Sequence, residues 1–434
     1  MNPVHIGIIG IVFLIIILFS RFPVAFCMTL VGFLGFGYLV TPSAALNIIA
    51  KDFYSVFSSY SLTVVPLFVF MGQILFYSGI SRKIYDAANA WLGHYKGGLA
   101  MATVGACASF SAICGSTNAT AATMATVALP EMKRYHYSDE LATGVVAAGG
   151  SLGILIPPSV IFIVYGIMTE QSIGKLFMAG ILPGALLSIL FILTIYIWVT
   201  INPKMAPRVE KQGIVAKIRA LSGLIEVVIL FVVVMGGLFI GVFTPNEAGA
   251  VGAFGGLVIA LVRRQLSWEG FKMALYSSAQ ITCMILMIVA GATVFGHFLA
   301  VSTIPSVLSS WVVELPLPPW AIMVVVMFFF FIGGCFMDAL GMIMLTIPIF
   351  FPVAVALGYD PIWFGVVIVL VTELGVITPP VGINVYVVNG IARDVRLEKI
   401  FKGAFPFVLT LLTYVIIMIF FPQIALYLPS MIAY

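Results

Sequence analysis

Residues 374–383 of the 434-residue chain are LGVITPPVGI, an apolar stretch that contains Pro379 and Pro380 and directly follows Glu373. Proline removes a backbone donor from a helix interior and clashes with the preceding turn, so a helix that enters this stretch is predicted to break. A second copy of the pattern, LGILIPPSVI, lies 222 residues earlier, at 152–161. A simple kink is the alternative for either proline pair alone, and the repetition favours two broken helices in two related halves.

The composition places the chain in a membrane. Hydrophobic residues make up 62% of the sequence and charged residues 8%, which is too little polar surface for a soluble globule. The apolar runs approach the ~20 residues that a helix needs to cross a bilayer and lack the alternation of barrel strands. We therefore predict an all-α polytopic membrane protein surrounded by lipid. The first run, 5–20, has no basic residue before it and no cleavage pattern after it, so it is predicted to be a retained helix.

Several other functions are excluded by residue usage. The five cysteines lie in apolar segments without C-x-x-C or Cys/His ligand spacing, so they indicate neither disulfides nor a metal site. The net charge is only +4 and the basic residues form no patch with interleaved aromatic residues, which argues against nucleic acid as a partner. An intramembrane enzyme is the non-transporter alternative, and the chain offers no Ser/His/Asp set, H-E-x-x-H motif or phosphate loop for it.

The apolar runs predict about ten crossings and two hairpins. The crossings are 4–20, 22–40, 62–80, 141–169, 176–200, 222–243, 247–263, 273–300, 361–391 and 404–428. The basic loop residues fall consistently on one side of the membrane only if the segments 98–130 and 318–358 each enter and leave the membrane by the same face. With the N-terminus outside, 18 of the 20 Lys and Arg residues then lie in inside loops, including Arg21, Arg208 and Lys211. Two full crossings in place of either hairpin preserve this sidedness equally well.

Length and composition favour the re-entrant form for the first hairpin. Residues 97–130 are 34 in number and have a small, polar centre around Gly115, Ser116 and Asn118, whereas two complete crossings need ~40 residues. The second hairpin is longer, and its length does not settle the matter. We predict its turn at Gly333 to Cys335. Irregular backbone at membrane depth is tolerated only inside protein or beside water, so both tips are expected to face an aqueous or ligand-filled centre.

The two broken helices run in opposite directions under this orientation, so the halves are inverted repeats. Broken helices at matching places in inverted halves indicate a transporter's central site, where helix N-termini face anions and free carbonyls face cations. Asp338 and Glu373 are the acids deepest in the apolar segments, and such acids are functional hypotheses by default. Asp338 is predicted to bind Na⁺, to cap a hairpin helix, or to do both, with Thr378 adding oxygen ligands. For Glu373, a hydrogen bond between helices is an equal alternative to a ligand role.

The first hairpin tip carries a run of hydroxyl and amide oxygens that suit an alkali cation. Packing of small residues is the alternative for any single one of them. Because no Lys or Arg lies in the predicted crossings or hairpins except at their ends, a carboxylate would be held by helix N-termini, hydroxyls and Asn118 or Asn384.

Together, the GSTNATA tip, the LGILIPPS break, GGCFMDALGMIMLTIPIF and ITPPVGINVYV resemble the large membrane subunit of tripartite ATP-independent periplasmic (TRAP) transporters over essentially the whole chain. This resemblance implies a bacterial inner-membrane, Na⁺-driven, elevator-type importer of an organic anion such as sialic acid or a C4-dicarboxylate. It implies two or more coupling Na⁺ ions and no organic cofactor. It also implies a periplasmic substrate-binding protein and a small four-helix membrane subunit, expected here as a separate chain because the first crossing begins at once.

The resemblance also implies the site residues. The first Na⁺ site would comprise Ser111, Gly115, Ser116, Asn118, Gly153 and Pro157; the second would comprise Gly334, Asp338, Thr378 and Pro379; the substrate would contact Ser116, Asn118, Pro158, Ser159, Gly382 and Asn384.

The predicted segments and the resemblance divide the chain into functional units. Scaffold helices occupy 1–80, an interfacial arm 81–97, the first transport repeat with its hairpin 98–200, a linker with scaffold helices 201–300, the second transport repeat 301–403 and a terminal helix 404–434. The alternative transporter is a stand-alone Na⁺/dicarboxylate symporter that needs no binding protein.

Overall fold

The computed structural model describes residues 2–20, 22–207 and 213–431. Arg21, Arg208 and Lys211, three of the cations used to orient the chain, lie outside the described residues. The secondary structure of the described residues consists of 21 α-helices and three short 3₁₀-helices. The prediction of an all-helical fold is therefore confirmed.

Ten helices make up the first part of the chain. They are α1 Pro3–Phe19, α2 Val24–Leu39, α3 Pro42–Phe57, α4 Val64–Tyr77, α5 Ile80–Leu92, α6 Gly98–Cys114, α7 Thr117–Arg134, α8 Asp139–Gly150, α9 Val160–Met168 and α10 Ile173–Ile201. The 3₁₀-helices of this part are Ser61–Thr63, Ser151–Ile154 and Pro203–Met205.

Eleven helices follow. They are α11 Ile214–Ser222, α12 Ile225–Phe239, α13 Pro245–Val262, α14 Trp268–Val301, α15 Ile304–Glu314, α16 Pro319–Phe336, α17 Ala339–Ala356, α18 Pro361–Val376, α19 Ile383–Ile391, α20 Leu397–Phe420 and α21 Gln423–Ser430.

The 222-residue shift of the proline motif holds for nearly the whole chain. Helices α1, α2 and α5 correspond by this shift to α12, α13 and α15, and α6 to α10 correspond to α16 to α20, with starts that agree within two residues. One pair differs in form, because α3 and α4 are bent by 54° whereas α14 is continuous over 34 residues. The chain is thus an internal duplication in which each half supplies the same series of elements.

The two halves exchange equivalent contacts. Helix α9 packs against α17 and α18, while its counterpart α19 packs against α7 and α8. Likewise α10 contacts α18 and α20 contacts α8, and among the outer helices α2 packs on α14 while α13 packs on α4. Reciprocal contacts of this kind arise when two copies are related by a two-fold axis, as in transporters built from inverted repeats.

Both predicted hairpins are present as helix pairs with short turns. The first, α6 and α7, turns at Gly115 and Ser116, as its polar centre predicts. The second, α16 and α17, turns at Met337 and Asp338, so the predicted turn at Gly333 to Cys335 is wrong. The helix continues through those small residues to Phe336 because the Asp338 side chain begins the next helix and thereby fixes where the turn falls.

Both proline motifs break their helices. The first break separates α8 from α9 across Ser151–Ile154 and the proline pair, and the second separates α18 from α19 at residues 377–382. The peptide bonds Pro157–Pro158 and Pro379–Pro380 are both cis. The predicted terminal crossing 404–428 is also divided, between α20 and α21, where Pro422 cannot continue the helix.

The helix lengths fit a membrane protein. By length and composition alone, six described helices can cross a membrane, or eight if each of two bent pairs forms one span. Shorter apolar helices such as α1, α2 and α18 add to the predicted spans. Large apolar side chains such as Ile16, Val232 and Phe328 are more than half exposed, as expected for surfaces in contact with lipid tails.

Helices α3 and α15 are among the helices that lie outside the predicted crossings and hairpins. Helix α3 lies between the second and third predicted crossings, and α15 precedes the second hairpin. Helix α15 is the counterpart of α5, which occupies most of the predicted interfacial arm at 81–97. The arm is tied to the linker, because the Trp91 indole donates to the carbonyl oxygen of Lys217 at 3.3 Å.

Ion pairs join the halves at the ends of the helices. Lys399 pairs with Asp139 at 3.6 Å, Lys402 pairs with Glu140 at 3.1 Å, and Lys133 pairs with Asp394. The hydrogen bond from Lys133 lowers the pKa of the Asp394 carboxyl group. Exposed pairs of this type contribute little to stability, so the packed helices hold the halves together.

Candidate functional site

The first hairpin tip is inserted against the first break. Gly115 has a φ of +60°, which favours glycine, and a β-carbon there would lie 2.7 Å from the carbonyl oxygen of Pro158. Ser116 begins α7, because its hydroxyl accepts a hydrogen bond from the Ala119 amide. On the other side, a β-carbon at Gly153 would lie 2.6 Å from the carbonyl oxygen of Ser116. The tip and the break are therefore in backbone contact.

The second tip repeats this arrangement. Asp338 begins α17, because its Oδ2 accepts a hydrogen bond from the Gly341 amide at 3.0 Å. It lies 222 residues after Ser116, so the same capping position carries a hydroxyl in one half and a carboxylate in the other. A β-carbon at Gly334 would lie 2.5 Å from the carbonyl oxygen of Thr372, and one at Gly375 would lie 2.5 Å from that of Phe331.

The second break makes two further contacts. The Gly382 amide donates to the carbonyl oxygen of Cys335 at 3.3 Å. The Thr378 hydroxyl donates to the carbonyl oxygen of Leu374 at 2.6 Å, in the last turn of α18.

Both tips line one cavity of about 90 Å³. Its lining residues come from the two tips, the first break, the ends of α9 and α18 next to the breaks, and α14: Gly115, Ser116, Thr117, Asn118, Ile154, Val160, Ile161, Ile281, Met284, Ile285, Asp338, Ala339, Leu340, Glu373 and Val376. The first residues of α7, α9 and α17 are among them, so three helix N-termini meet at the cavity. Each N-terminus carries ~0.5 of a positive charge, so together they favour an anion.

The predicted site residues fall into two groups. Gly115, Ser116, Asn118 and Asp338 line the cavity itself. The others form its support or the adjoining breaks and are not among the lining residues: Ser111, Gly153, Pro157, Pro158, Ser159, Gly334, Thr378, Pro379, Gly382 and Asn384.

Besides Thr378, three of the supporting side chains are engaged in hydrogen bonds. Ser111 donates to the carbonyl oxygen of Cys107 at 2.6 Å. Ser159 begins α9 by accepting from the Phe162 amide. Asn384 is fully buried, and its amide donates to the carbonyl oxygen of Ala147 at 3.1 Å, which ties α19 to α8.

Some residues of the site were missed by sequence reasoning. Gly375 approaches the second hairpin as Gly153 approaches the first, and the 222-residue shift of the motif relates the two positions. That repeat was the signal that could have identified it. The contributions of Ile281, Met284 and Ile285 had no such signal, because apolar side chains on a long apolar helix look alike in sequence.

One contact crosses between the halves inside the cavity wall. The Thr117 hydroxyl donates to Oε1 of Glu373 at 2.8 Å, across 256 residues of sequence. Glu373 is therefore hydrogen-bonded between helices, which was one of its two predicted roles, and it lines the cavity as well.

The chemistry of the cavity is that of hard oxygen ligands and helix N-termini. Its lining includes the carboxyl groups of Asp338 and Glu373, the hydroxyl of Ser116 and the amide of Asn118, with no Lys, Arg or His among the lining residues. Within the described part of the chain, no cluster of three or more His, Cys, Asp or Glu residues is positioned to hold a metal ion. The available ligands suit an alkali cation beside an organic anion better than a transition metal.

Comparisons with known proteins agree with this architecture. Residues 11–424 match the family model described as tripartite ATP-independent periplasmic transporter, DctM component. The C4-dicarboxylate TRAP transporter large permease protein DctM of Pseudomonas aeruginosa is 39% identical over 395 residues, covering 90% of this chain and 91% of that protein. The sialic acid TRAP transporter large permease protein SiaM of Vibrio cholerae is 30% identical over 417 residues, covering 96% of each.

A solved structure shares the fold. The YdaH transporter of Alcanivorax borkumensis superposes with a TM-score of 0.61 at 14% sequence identity, covering 88% of this chain and 89% of that one. The family match spans nearly all of the sequence, and the chain belongs to the DctM family of large TRAP permeases.

Proposed function

We propose that this chain, as the large permease of a TRAP system, imports an organic carboxylate together with Na⁺ by an elevator movement. The observation that carries this proposal is the cavity where two hairpin tips, three helix N-termini and Asp338 meet. An anion and a cation can be bound side by side there, because the helix N-termini favour the first and the carboxylate favours the second.

Sodium coupling is supported by the oxygen ligands at each tip. Asp338 supplies a carboxylate at the second tip, and the tight approach of Gly334 and Gly375 holds α16 of that hairpin against α18. The first tip supplies the Ser116 hydroxyl and the carbonyl groups at the Gly153 break. One Na⁺ at each tip is the proposed arrangement, and Na⁺ is carried as a co-substrate.

The proposed substrate class is a carboxylate. The cavity presents helix N-termini without Lys or Arg, so it suits a small organic acid whose charge is spread over oxygens. The relatives named above transport C4-dicarboxylates and sialic acid, which are both carboxylates.

The elevator proposal is supported by the composition of the cavity wall. Hairpins and breaks form most of the wall, and α14 of the predicted scaffold closes it through Ile281, Met284 and Ile285. Movement of the hairpin-bearing elements along α14 would expose the cavity to the opposite face. We place the protein in the bacterial inner membrane with its N-terminus in the periplasm, beside a small membrane subunit and a periplasmic binding protein.

Reconstitution tests this function directly. Proteoliposomes that contain the chain and its small subunit are supplied with binding protein loaded with labelled succinate or sialic acid, under an inward Na⁺ gradient. We expect uptake that requires all three proteins and Na⁺. Uptake by the chain alone would instead support the stand-alone symporter, and flux without dependence on Na⁺ would indicate a passive channel.

A further inference from the structure

Glu373 occupies an unusual position in the cavity wall. Its side chain is 1% exposed, Oε1 accepts the hydrogen bond from Thr117 at 2.8 Å, and Oε2 is buried without a hydrogen-bond partner. The corresponding residue of the first half is Ser151, whose hydroxyl donates to the carbonyl oxygen of Ala148. The carboxyl group is therefore particular to the second half, and one of its oxygens is buried without a partner in the wall of the cavity.

Among the described residues, no cationic side chain lines the cavity beside Glu373 to compensate an anion. Asp338 is the other titratable group of the cavity lining, and it has the same sign. Other titratable groups on the helices packed around Glu373 are the thiols of Cys107, Cys114 and Cys335, the phenols of Tyr165, Tyr196, Tyr386, Tyr414 and Tyr427, and charges near helix ends at Glu131, Lys133, Arg134, Lys175, Asp360, Glu398, Lys399 and Lys402.

When the cavity holds Na⁺ and the organic anion, charge balance determines whether the Glu373 side chain can be ionised. Under the proposed function, Na⁺ compensates Asp338 and the helix N-termini face the organic anion. A second ionised carboxylate, fully buried beside that anion, would be uncompensated, which proteins avoid because a buried charge without a partner is strongly disfavoured. A proton on Glu373 removes this conflict and turns the free oxygen into a donor.

We propose that Glu373 is a proton-binding group of the substrate site, and that its Oε2–H donates a hydrogen bond to a carboxylate of the transported acid. The inference rests on the proposed carboxylate transport. Thr117 positions the group, since its hydroxyl occupies Oε1 and leaves Oε2 for the substrate. Hydrogen bonds from a neutral acid to a carboxylate are short and strong, so the contact selects for anionic oxygen over neutral analogues.

Two substitutions separate this role from a charged one. Glu373→Gln keeps a neutral side chain of the same shape with an N–H donor, whereas Glu373→Met keeps the approximate size without a donor. We expect the initial rate of Na⁺-driven uptake, at subsaturating loaded binding protein, to fall about 10- to 100-fold in Glu373→Met and less than about tenfold in Glu373→Gln. Exposed Glu398 provides the matched control, and Glu398→Gln is expected to leave uptake unchanged.

Equal losses in both Glu373 variants would overturn the inference, because they would show that the negative charge or the exact packing is required. Wild-type rates in both variants would also overturn it, because Glu373 would then not contact the substrate. Monodispersity in detergent and thermal unfolding of each variant report whether it is folded.

An infrared measurement tests the proton without any transport. The C=O stretch of a protonated carboxylic acid is expected in the purified wild-type chain at neutral pH and should lose intensity in Glu373→Gln but not in Glu398→Gln. An unchanged band would refute the protonated state even if transport is intact. If the wild-type assembly transports no carboxylate while this band is present, the proposed function fails and the protonation stands.

Discussion

At the residue scale, the main difference between the halves is the helix cap at each hairpin tip. Ser116 and Asp338 occupy equivalent positions and both accept a hydrogen bond from the backbone of the following turn. A hydroxyl satisfies that amide as well as a carboxylate does, so capping alone does not require the aspartate. The extra negative charge of Asp338 is therefore available for a cation in the cavity.

Asp338→Asn tests this division of roles. Asparagine is as good a cap as aspartate, so the helix is expected to remain, while the loss of the carboxylate weakens cation binding. We expect the Na⁺ concentration for half-maximal uptake to rise about tenfold, in line with the loss of an interaction with a charged group. Uptake is measured in proteoliposomes over a series of Na⁺ concentrations.

Asp360→Asn is the matched control. Asp360 caps α18 through the amides of Ile362 and Trp363 and does not line the cavity. The Na⁺ dependence of uptake by the Asp360→Asn variant is expected to equal that of the wild type. The same Na⁺ dependence in Asp338→Asn would remove Asp338 from the cation site.

At the element scale, each hairpin is held against a broken helix by backbone contact at glycines. Gly153 touches the first hairpin, and Gly334 and Gly375 bring α16 and α18 together around the second. A methyl group at such a position meets backbone atoms that cannot rotate away, so the helices must separate. These glycines therefore fix how far each tip reaches into the cavity.

Gly375→Ala is expected to destabilise the protein by about 1–3 kcal/mol, as overpacking of a tight interface does. The added β-carbon would lie 2.5 Å from the carbonyl oxygen of Phe331. Gly390→Ala in α19 is the control, because no heavy atom outside its own helix backbone and chain neighbours lies within 4 Å of a β-carbon there. Thermal unfolding in detergent should show a lower midpoint for the first variant only, and equal midpoints would contradict the close contact.

At the scale of the whole molecule, the sequence predicted the parts that depend on local pattern. Two proline pairs at matching positions were enough to locate both breaks, and the small, polar centre at Gly115 located the first turn. The second turn lies at Met337 and Asp338 and not at the predicted Gly333 to Cys335. The Asp338 side chain caps α17 and so sets the position of the turn, while the glycines remain inside α16.

Other features depend on tertiary contacts between distant residues. The pairing of Thr117 with Glu373 spans 256 residues and follows only from how the halves are packed. Helix α15 was not singled out because it is short, and the shift that relates it to α5 becomes visible when whole elements are aligned.

The elevator proposal predicts that a bond between α14 and the second hairpin stops transport. A β-carbon at Gly296 of α14 would lie 4.0 Å from Cγ of Pro348 in α17. In a background without the five native cysteines, the pair Gly296→Cys and Pro348→Cys is expected to lose uptake on oxidation and to regain it on reduction. The matched pair is Gly37→Cys and Ala45→Cys, which joins α2 and α3 within the predicted scaffold across a β-carbon distance of 3.4 Å.

The two pairs differ in what their disulfides restrain. Both bonds connect neighbouring helices, so any loss from the oxidation treatment itself would affect both pairs. Only the first bond joins an element that must move to one that must stay, if the hairpins carry the cavity across the membrane along α14. Full uptake in the oxidised first pair, with cross-linking verified by mass spectrometry, would mean that α14 and α17 keep their contact throughout the cycle. The cavity would then have to open by local motion of the tips, and the two-fold arrangement of the halves would serve alternating gates in place of an elevator.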